Sequence, residues 1–336
     1  MIPLIGYCDR LSGRPGDTIE FKVSSIAAAS FTARLYRSIS ADPNPAGPGI
    51  IERAVPSAMD GSYPSRIQAF HPGSYGTADD DLPQTISGGF RLSAMIWPTL
   101  LRKPGMVTNG TQAILSCGDI ALMIDGNGAI AGQAGGKQVT ASEPLHLRAW
   151  YRVSLSYDAD SGALTVSQEP ITHGHEAHGT IIAPGLSLFG RPIIGAKENV
   201  PGPRPGDIPA AIGAHFNGKI EGPTIHDSAG NLVAAWDFTQ GIPTTKIVDT
   251  GPHGLHGQLI NLPTRAMTGA AWNGDEMCFR HAPERYGAVH FHEDDIYDFH
   301  WETDFSFRIP DDLPSGAYLA RIQCDGHEDA IPFFVC

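Results

Sequence analysis

Trp150-Tyr151-Arg152-Val153-Ser154-Leu155-Ser156-Tyr157, followed by Asp158-Ala159-Asp160-Ser161-Gly162 and then Ala163-Leu164-Thr165-Val166-Ser167, is the stretch that decides the fold. Its apolar residues fall at alternate positions, the period of a strand with one face buried, and the Asp, Ser and Gly cluster between the two runs supplies turn chemistry. It reads as a β-hairpin. Phe90 to Trp97 alternates in the same way, and from Gly88 to about Trp272 short apolar runs recur between turns at the roughly 8–12-residue spacing of a large sandwich.

The flanks carry the same signal in shorter form. Thr18 to Val23 alternates polar and apolar after the Pro15-Gly16-Asp17 turn, and a second strand is expected at Phe31 to Tyr36. Between Asp42 and Gly49 the prolines and glycines rule out regular structure, because proline lacks a backbone donor and glycine frees the chain. Further strands are expected at Ala288 to His292, Phe305 to Ile309, Gly316 to Ile322 and Ala330 to Val335. Four strands alone leave an open edge and a thin core, so they need the strands near the N-terminus as partners. The expected architecture is all-β, with residues 86–271 forming a large sandwich inserted into a small discontinuous one made of residues 1–85 and 272–336.

Composition agrees: 39 glycines and 27 prolines in 336 residues favour turns over long helices. A formal net charge of −13 argues against a nucleic-acid partner, since phosphate binding depends on clustered Lys and Arg. Met1 to Cys8 holds no basic region followed by an apolar run, and no stretch approaches the roughly 20 apolar residues of a spanning helix. Neither secretion nor membrane insertion is expected. Cys8, Cys117, Cys278, Cys324 and Cys336 are scattered without C-x-x-C spacing, which suits reduced thiols and a cytoplasmic setting. Cys336 closes an apolar run, Ile331 to Val335, as though the chain were cut there.

Several clusters offer chemistry, each with a plainer alternative. Glu293, Asp295 and Asp298 form an E-x-D-x-x-D run resembling the strand carboxylates of glycosidases, where one acts as nucleophile and another as general acid; a solvated turn is the alternative. His173, His175 and His178 are potential imidazole ligands, but without helical spacing they read as a polar loop. Asp119, Asp125 and Asn127, or Asp237 and Asp249, offer the oxygens calcium favours, against turn capping. Trp97, Trp150, Trp236, Trp272 and Trp301 read as core, with a sugar-stacking platform as the alternative. No G-x-S-x-G, Walker loop or H-E-x-x-H occurs.

Two resemblances extend this reading. Trp150 to Asp158 with Ser161-Gly162, and Phe216 to Pro223 followed by Leu232 to Phe238, resemble the laminin-G-like, concanavalin-like jelly roll. Gly6 to Arg10 before Pro15-Gly16-Asp17, the Asp42 to Gly49 loop, and Trp301 to Ser306 before Pro310 to Gly316 resemble the N-terminal part of the N,N-dimethylformamidase large-subunit family. Ile331 to Val335 resembles the start of that family's catalytic module. The resemblance implies an immunoglobulin-like small sandwich and an iron-dependent hydrolase that splits N-substituted formamides into formate and amine. It places the iron on two tyrosines and a glutamate beyond Cys336, and adds a small partner subunit and a homo-oligomer. On this reading no catalytic, cofactor-binding or metal-binding residue is assigned within the chain, which is expected to be a non-catalytic scaffold. The alternatives are a free-standing glycan-binding module and a glycosidase built on Glu293 and Asp295.

Overall fold

The computed structural model describes residues 3–27, 29–101, 110–199 and 212–336. They are almost wholly β, with a single short 3-10 helix, Pro283–Arg285, among the described residues. The chain divides into two compact units, one made of Met1–Phe70 with Phe299–Cys336 and the other of His71–Asp298.

The smaller unit draws strands from both ends of the sequence. Thr18–Ser25 pairs with Leu4–Cys8 on one side and Phe305–Arg308 on the other. A second sheet runs Ser12–Gly13, His327–Val335, Gly316–Cys324, Ser30–Ala41 and Ile50–Ala54, with Gly61–Pro64 also paired to Ser30–Ala41. Alternation turns Ile19, Phe21 and Val23 from one sheet, and Tyr318, Ile331 and Phe333 from the other, into one core. Phe21 is its centre, stacked on Phe305 at 4.8 Å and meeting Phe333 edge-on at 5.7 Å.

In the larger unit one antiparallel sheet winds almost back on itself. From Lys137–Pro144 it passes through Ala129–Ala134, Ile120–Ile124, Gln112–Cys117, Pro192–Ile194, Tyr75–Ala78, Gly257–Ile260, Lys246–Asp249 and Leu232–Asp237. It continues through Gly218–Asp227, Gly89–Pro98, Tyr151–Asp158 and Ala163–Pro170 to Ala177–Ile182. The two ends come close enough that a Cβ on Gly179 would lie 2.1 Å from the Thr140 carbonyl oxygen, so only glycine fits. Inside the curve, Phe90, Leu92, Ala94 and Ile96 pack with Val153, Leu155 and Val166 against Leu122, Ile130 and Val139 from the opposite arm.

The hairpin is present as read, Tyr151–Asp158 pairing with Ala163–Pro170 in register from end to end. The units, however, divide at 70/71 and 298/299, whereas the sequence suggested 85/86 and 271/272. Tyr75–Ala78 accounts for the first difference by pairing with Pro192–Ile194 and Gly257–Ile260 of the large sheet. Ala288–Phe291 accounts for the second: it pairs with Gly218–Asp227 and not with the small unit.

Phe21→Ala removes the ring shared by both sheets of the small unit. It is expected to destabilise that unit by about 3–5 kcal/mol, the usual cost of truncating a buried phenylalanine, read as a lowered denaturant midpoint in equilibrium unfolding.

Candidate functional site

Strand Gly218–Asp227 pairs with Gly89–Pro98 along one edge and, through its first half, with Ala288–Phe291 along the other. Ile220 faces the core, so Lys219 and Glu221 must face outward. Registry places Lys219 between Trp97 and His290 on that outer face, and Glu221 beside Met95.

An outward face normally keeps its charges in water, yet Lys219 is only 7% exposed and Glu221 only 9%. The segment Thr268–Ala270 covers them. Lys219 Nζ donates to the Thr268 carbonyl oxygen (3.1 Å) and hydroxyl (2.7 Å) and lies 4.7 Å from the centre of the Trp97 ring. Glu221 Oε2 accepts the Ala270 N–H at 2.7 Å. A Cβ on Gly269 would lie 2.5 Å from Glu221 Oε1, so a side chain there would have to displace the buried carboxylate. Burial lowers the Lys219 pKa, partly opposed by Glu221, and raises that of Glu221, partly opposed by the Ala270 N–H and Lys219.

Beside this pair stand two imidazoles, His290 and His292, with ring centres 4.1 Å apart. Burial, then His292 and Lys219, lower the His290 pKa from 6.5 to about 4. Its Nε2 is buried without a hydrogen-bond partner. His292 Nδ1 lies 3.2 Å from Asp295 Oδ2, which also accepts the Ser74 hydroxyl at 2.6 Å, and the Ser74 oxygen in turn accepts the His292 N–H at 3.0 Å. Serine, aspartate and histidine are thus all present in the wrong order for nucleophilic catalysis. The hydroxyl gives its proton to the carboxylate, whereas a nucleophilic serine gives it to an imidazole held by the carboxylate. Ser74 is also completely buried. The constellation fastens the chain after Phe291 to the segment before Tyr75.

The E-x-D-x-x-D run is not on a strand: pairing ends at Phe291 opposite Gly218, and the His292 N–H then turns to Ser74. Glu293 donates its N–H to Asn217 Oδ1 while Asp295 serves the Ser74 cluster, so the shared strand face expected of them is absent. His173 and His175 stack near His146, at 6.1 and 5.0 Å, whereas His178 is exposed on strand Ala177–Ile182.

The calcium candidates cap turns. Asp249 takes the N–H groups of Ala235, Gly251 and Leu255, Asp125 those of Asn127 and Ala129, and Asp119 that of Gly135. Asp237 holds Thr239 and Gln240. Among the described residues no three His, Cys, Asp or Glu side chains converge as a metal-ligand group.

Trp150, Trp236 and Trp301 are buried, the last two donating Nε1–H to the carbonyl oxygens of Leu255 and Ala69. Trp97 instead lies under Lys219, and Trp272 is 37% exposed. All five cysteines are unpaired thiols. Among the described residues no helix is long and apolar enough to cross a membrane.

Lys219, Glu221, His290 and Ser74 escaped the sequence reading. The first two sit inside the quoted Phe216 to Pro223 run, but alternation alone assigns them to water, and the strap that buries them lies some fifty residues later.

The family model described as N,N-dimethylformamidase beta subunit-like, C-terminal, matches residues 264–336. The match begins well before Ile331, where the sequence suggested that the next module starts, and includes the strap. The N,N-dimethylformamidase beta subunit of Paracoccus aminophilus is 34% identical across 99% of this chain and 49% of its own length. That of an Alcaligenes species is 33% identical over the same shares. The chain thus spans about half the length of these curated relatives. A putative carbohydrate binding protein from Bacteroides ovatus, 10% identical, aligns over 77% of this chain and 91% of its own with a TM-score of 0.38, too low to bear on fold or function.

His290 gives the site a pH signature. Folding holds it neutral down to about pH 4 against an ordinary 6.5, so between these values the unfolded chain binds the extra proton. Stability is expected to be full above pH 6.5 and to fall as the pH drops through that window. Denaturant unfolding at pH 7, 5.5 and 4 should show the decline, and a shallower one in His290→Gln.

Proposed function

We propose, for a chain that belongs to the N,N-dimethylformamidase beta subunit-like family, that residues 1–336 are a non-catalytic scaffold within an amide hydrolase. The reaction read from the resemblance is iron-dependent hydrolysis of N-substituted formamides to formate and amine, with the metal and the bond-breaking groups outside these residues. The observation that carries the proposal is the 34% identity running through 99% of the chain while covering 49% of the relative. The engagement of the candidate carboxylates supports it. Of the carboxylates read as catalytic candidates, Asp295 accepts the Ser74 hydroxyl and shares no strand face with Glu293.

On this reading the larger unit is a laminin-G-like jelly roll and the smaller an immunoglobulin-like sandwich. The two arms of the large sheet facing one core, and the two sheets of the small unit closing on Phe21, favour that description. The scaffold would present surface to a catalytic module of the same polypeptide, to a small subunit and to further protomers, in the cytoplasm.

Purified residues 1–336, supplied with iron and N,N-dimethylformamide, are expected to release no formate above the protein-free control. Turnover by these residues alone, at a rate that tracks protein concentration, would overturn the proposal.

A further inference from the structure

On the outer face of the large sheet, beyond the strap that covers Lys219 and Glu221, lies an open groove of about 540 Å³, within the range of small-molecule sites. Its floor is strand Gly89–Pro98, flanked by Tyr151–Asp158 and Gly218–Asp227. Registry sets Arg91 between Ser156 and His226, and Ser93 between Ser154 and Thr224. Arg152, on the same outer face, lines the groove with them.

The groups in this groove are poorly satisfied by the protein itself. Among the described residues Arg91 reaches only the Ser154 hydroxyl, at 3.5 Å, and Arg152 only Glu169, at 3.4 Å. Charge-assisted bonds close to about 2.7–2.9 Å when well made, so most of the guanidinium donors stay available. The Nδ1 of His226 is buried with no hydrogen-bond partner. The carboxylate in the lining, Asp227, stays an anion but bonds to neither arginine, since one oxygen holds the N–H groups of Ala229 and Asn231 and the other the Asn231 amide. Two underused guanidinium groups in one groove repel each other, and a chain of net charge −13 has no general excess of cations to explain them.

We infer that this groove binds a small organic anion, its carboxylate or phosphoryl head taken by Arg91 and Arg152 and its hydroxylated body by Ser93, Ser156 and Ser228. The head is assigned to the arginines because their forked donors match two oxygens at once. The body is assigned to the serines because the groove is larger than a bare oxyanion requires and, apart from His226 and Asp227, its remaining polar lining is hydroxyl. Neither assignment depends on the scaffold reading, since the groove is complete within the larger unit.

Calorimetric titration of the whole chain with glucose 6-phosphate, glucuronate and glucose tests the inference, with the two anions carrying different heads on a similar body. At least one anion is expected to bind ten-fold or more tightly than glucose, and the tighter of the two identifies the head. The double variant Arg91→Gln, Arg152→Gln is expected to lose that binding by ten-fold or more while keeping the parent's thermal unfolding curve, both side chains lying at the surface. Silence toward both anions at 10 mM, equal affinity for glucose, or undiminished binding by a folded double variant would each overturn it.

Discussion

The pairing of Gly218–Asp227 with its neighbours is the constraint on which the rest of the larger unit depends. This strand is joined to Gly89–Pro98 along one edge and to both Ala288–Phe291 and Leu232–Asp237 along the other. Side chains alternate along the strand except at an irregularity between Glu221 and Thr224, where Gly222 takes a positive φ; that offset lets Ile220 and Ile225 both face the core while Lys219, Glu221, Thr224 and His226 all face away from it. A slip of one residue would send two charges into an apolar core and two isoleucines out of it. The covered lysine and glutamate and the arginine-lined groove are thus successive stretches of one surface, joined across that shift in register.

What covers that surface separates its two stretches. Near Gly218 the strap Thr268–Ala270 removes water, and the charges it encloses are held by hydrogen bonds from the strap itself. Burying ionic groups costs several kcal/mol each unless they are well paired, and what such pairing secures best is one defined position for the segment that supplies the partners. Toward Asp227 no strap crosses among the described residues, and the cationic groups stay accessible there. One face of the sheet therefore carries a structural use of charge at Lys219 and Glu221 and an unengaged one at Arg91 and Arg152 on the neighbouring strands.

Period-two alternation made the strands legible from sequence, because it depends only on neighbours in the chain. The hairpin of Tyr151–Asp158 with Ala163–Pro170 and the paired ends of the small unit follow from it. Pairings between distant segments were not legible: nothing local in Tyr75–Ala78 reveals that it joins Gly257–Ile260 and leaves the unit of its immediate predecessors. The site suffered from the same limit. Glu293 and Asp295 stood out as a catalytic candidate beside the plainer solvated turn because acidic residues near a strand end are conspicuous, while alternation alone left Lys219 and Glu221 to water because their burial is conferred by residues 268–270. Turn capping by Asp125 and Asp249 was anticipated because it involves nearby backbone N–H groups.

The segment matched by the family model, residues 264–336, is not a separable module. Thr264–Met267 and Ala288–Phe291 complete one edge of the large sheet, and the strap between them encloses Lys219 and Glu221. Phe305–Arg308, Gly316–Cys324 and His327–Val335 then supply strands to both sheets of the small unit. A boundary drawn at its start would strip the larger unit of a strand pair and leave its two buried charges without partners, while removing Phe305 and Phe333 from around Phe21. One continuous stretch of chain thus supplies separate strands to two different cores, so the folding of each unit draws on residues 264–336.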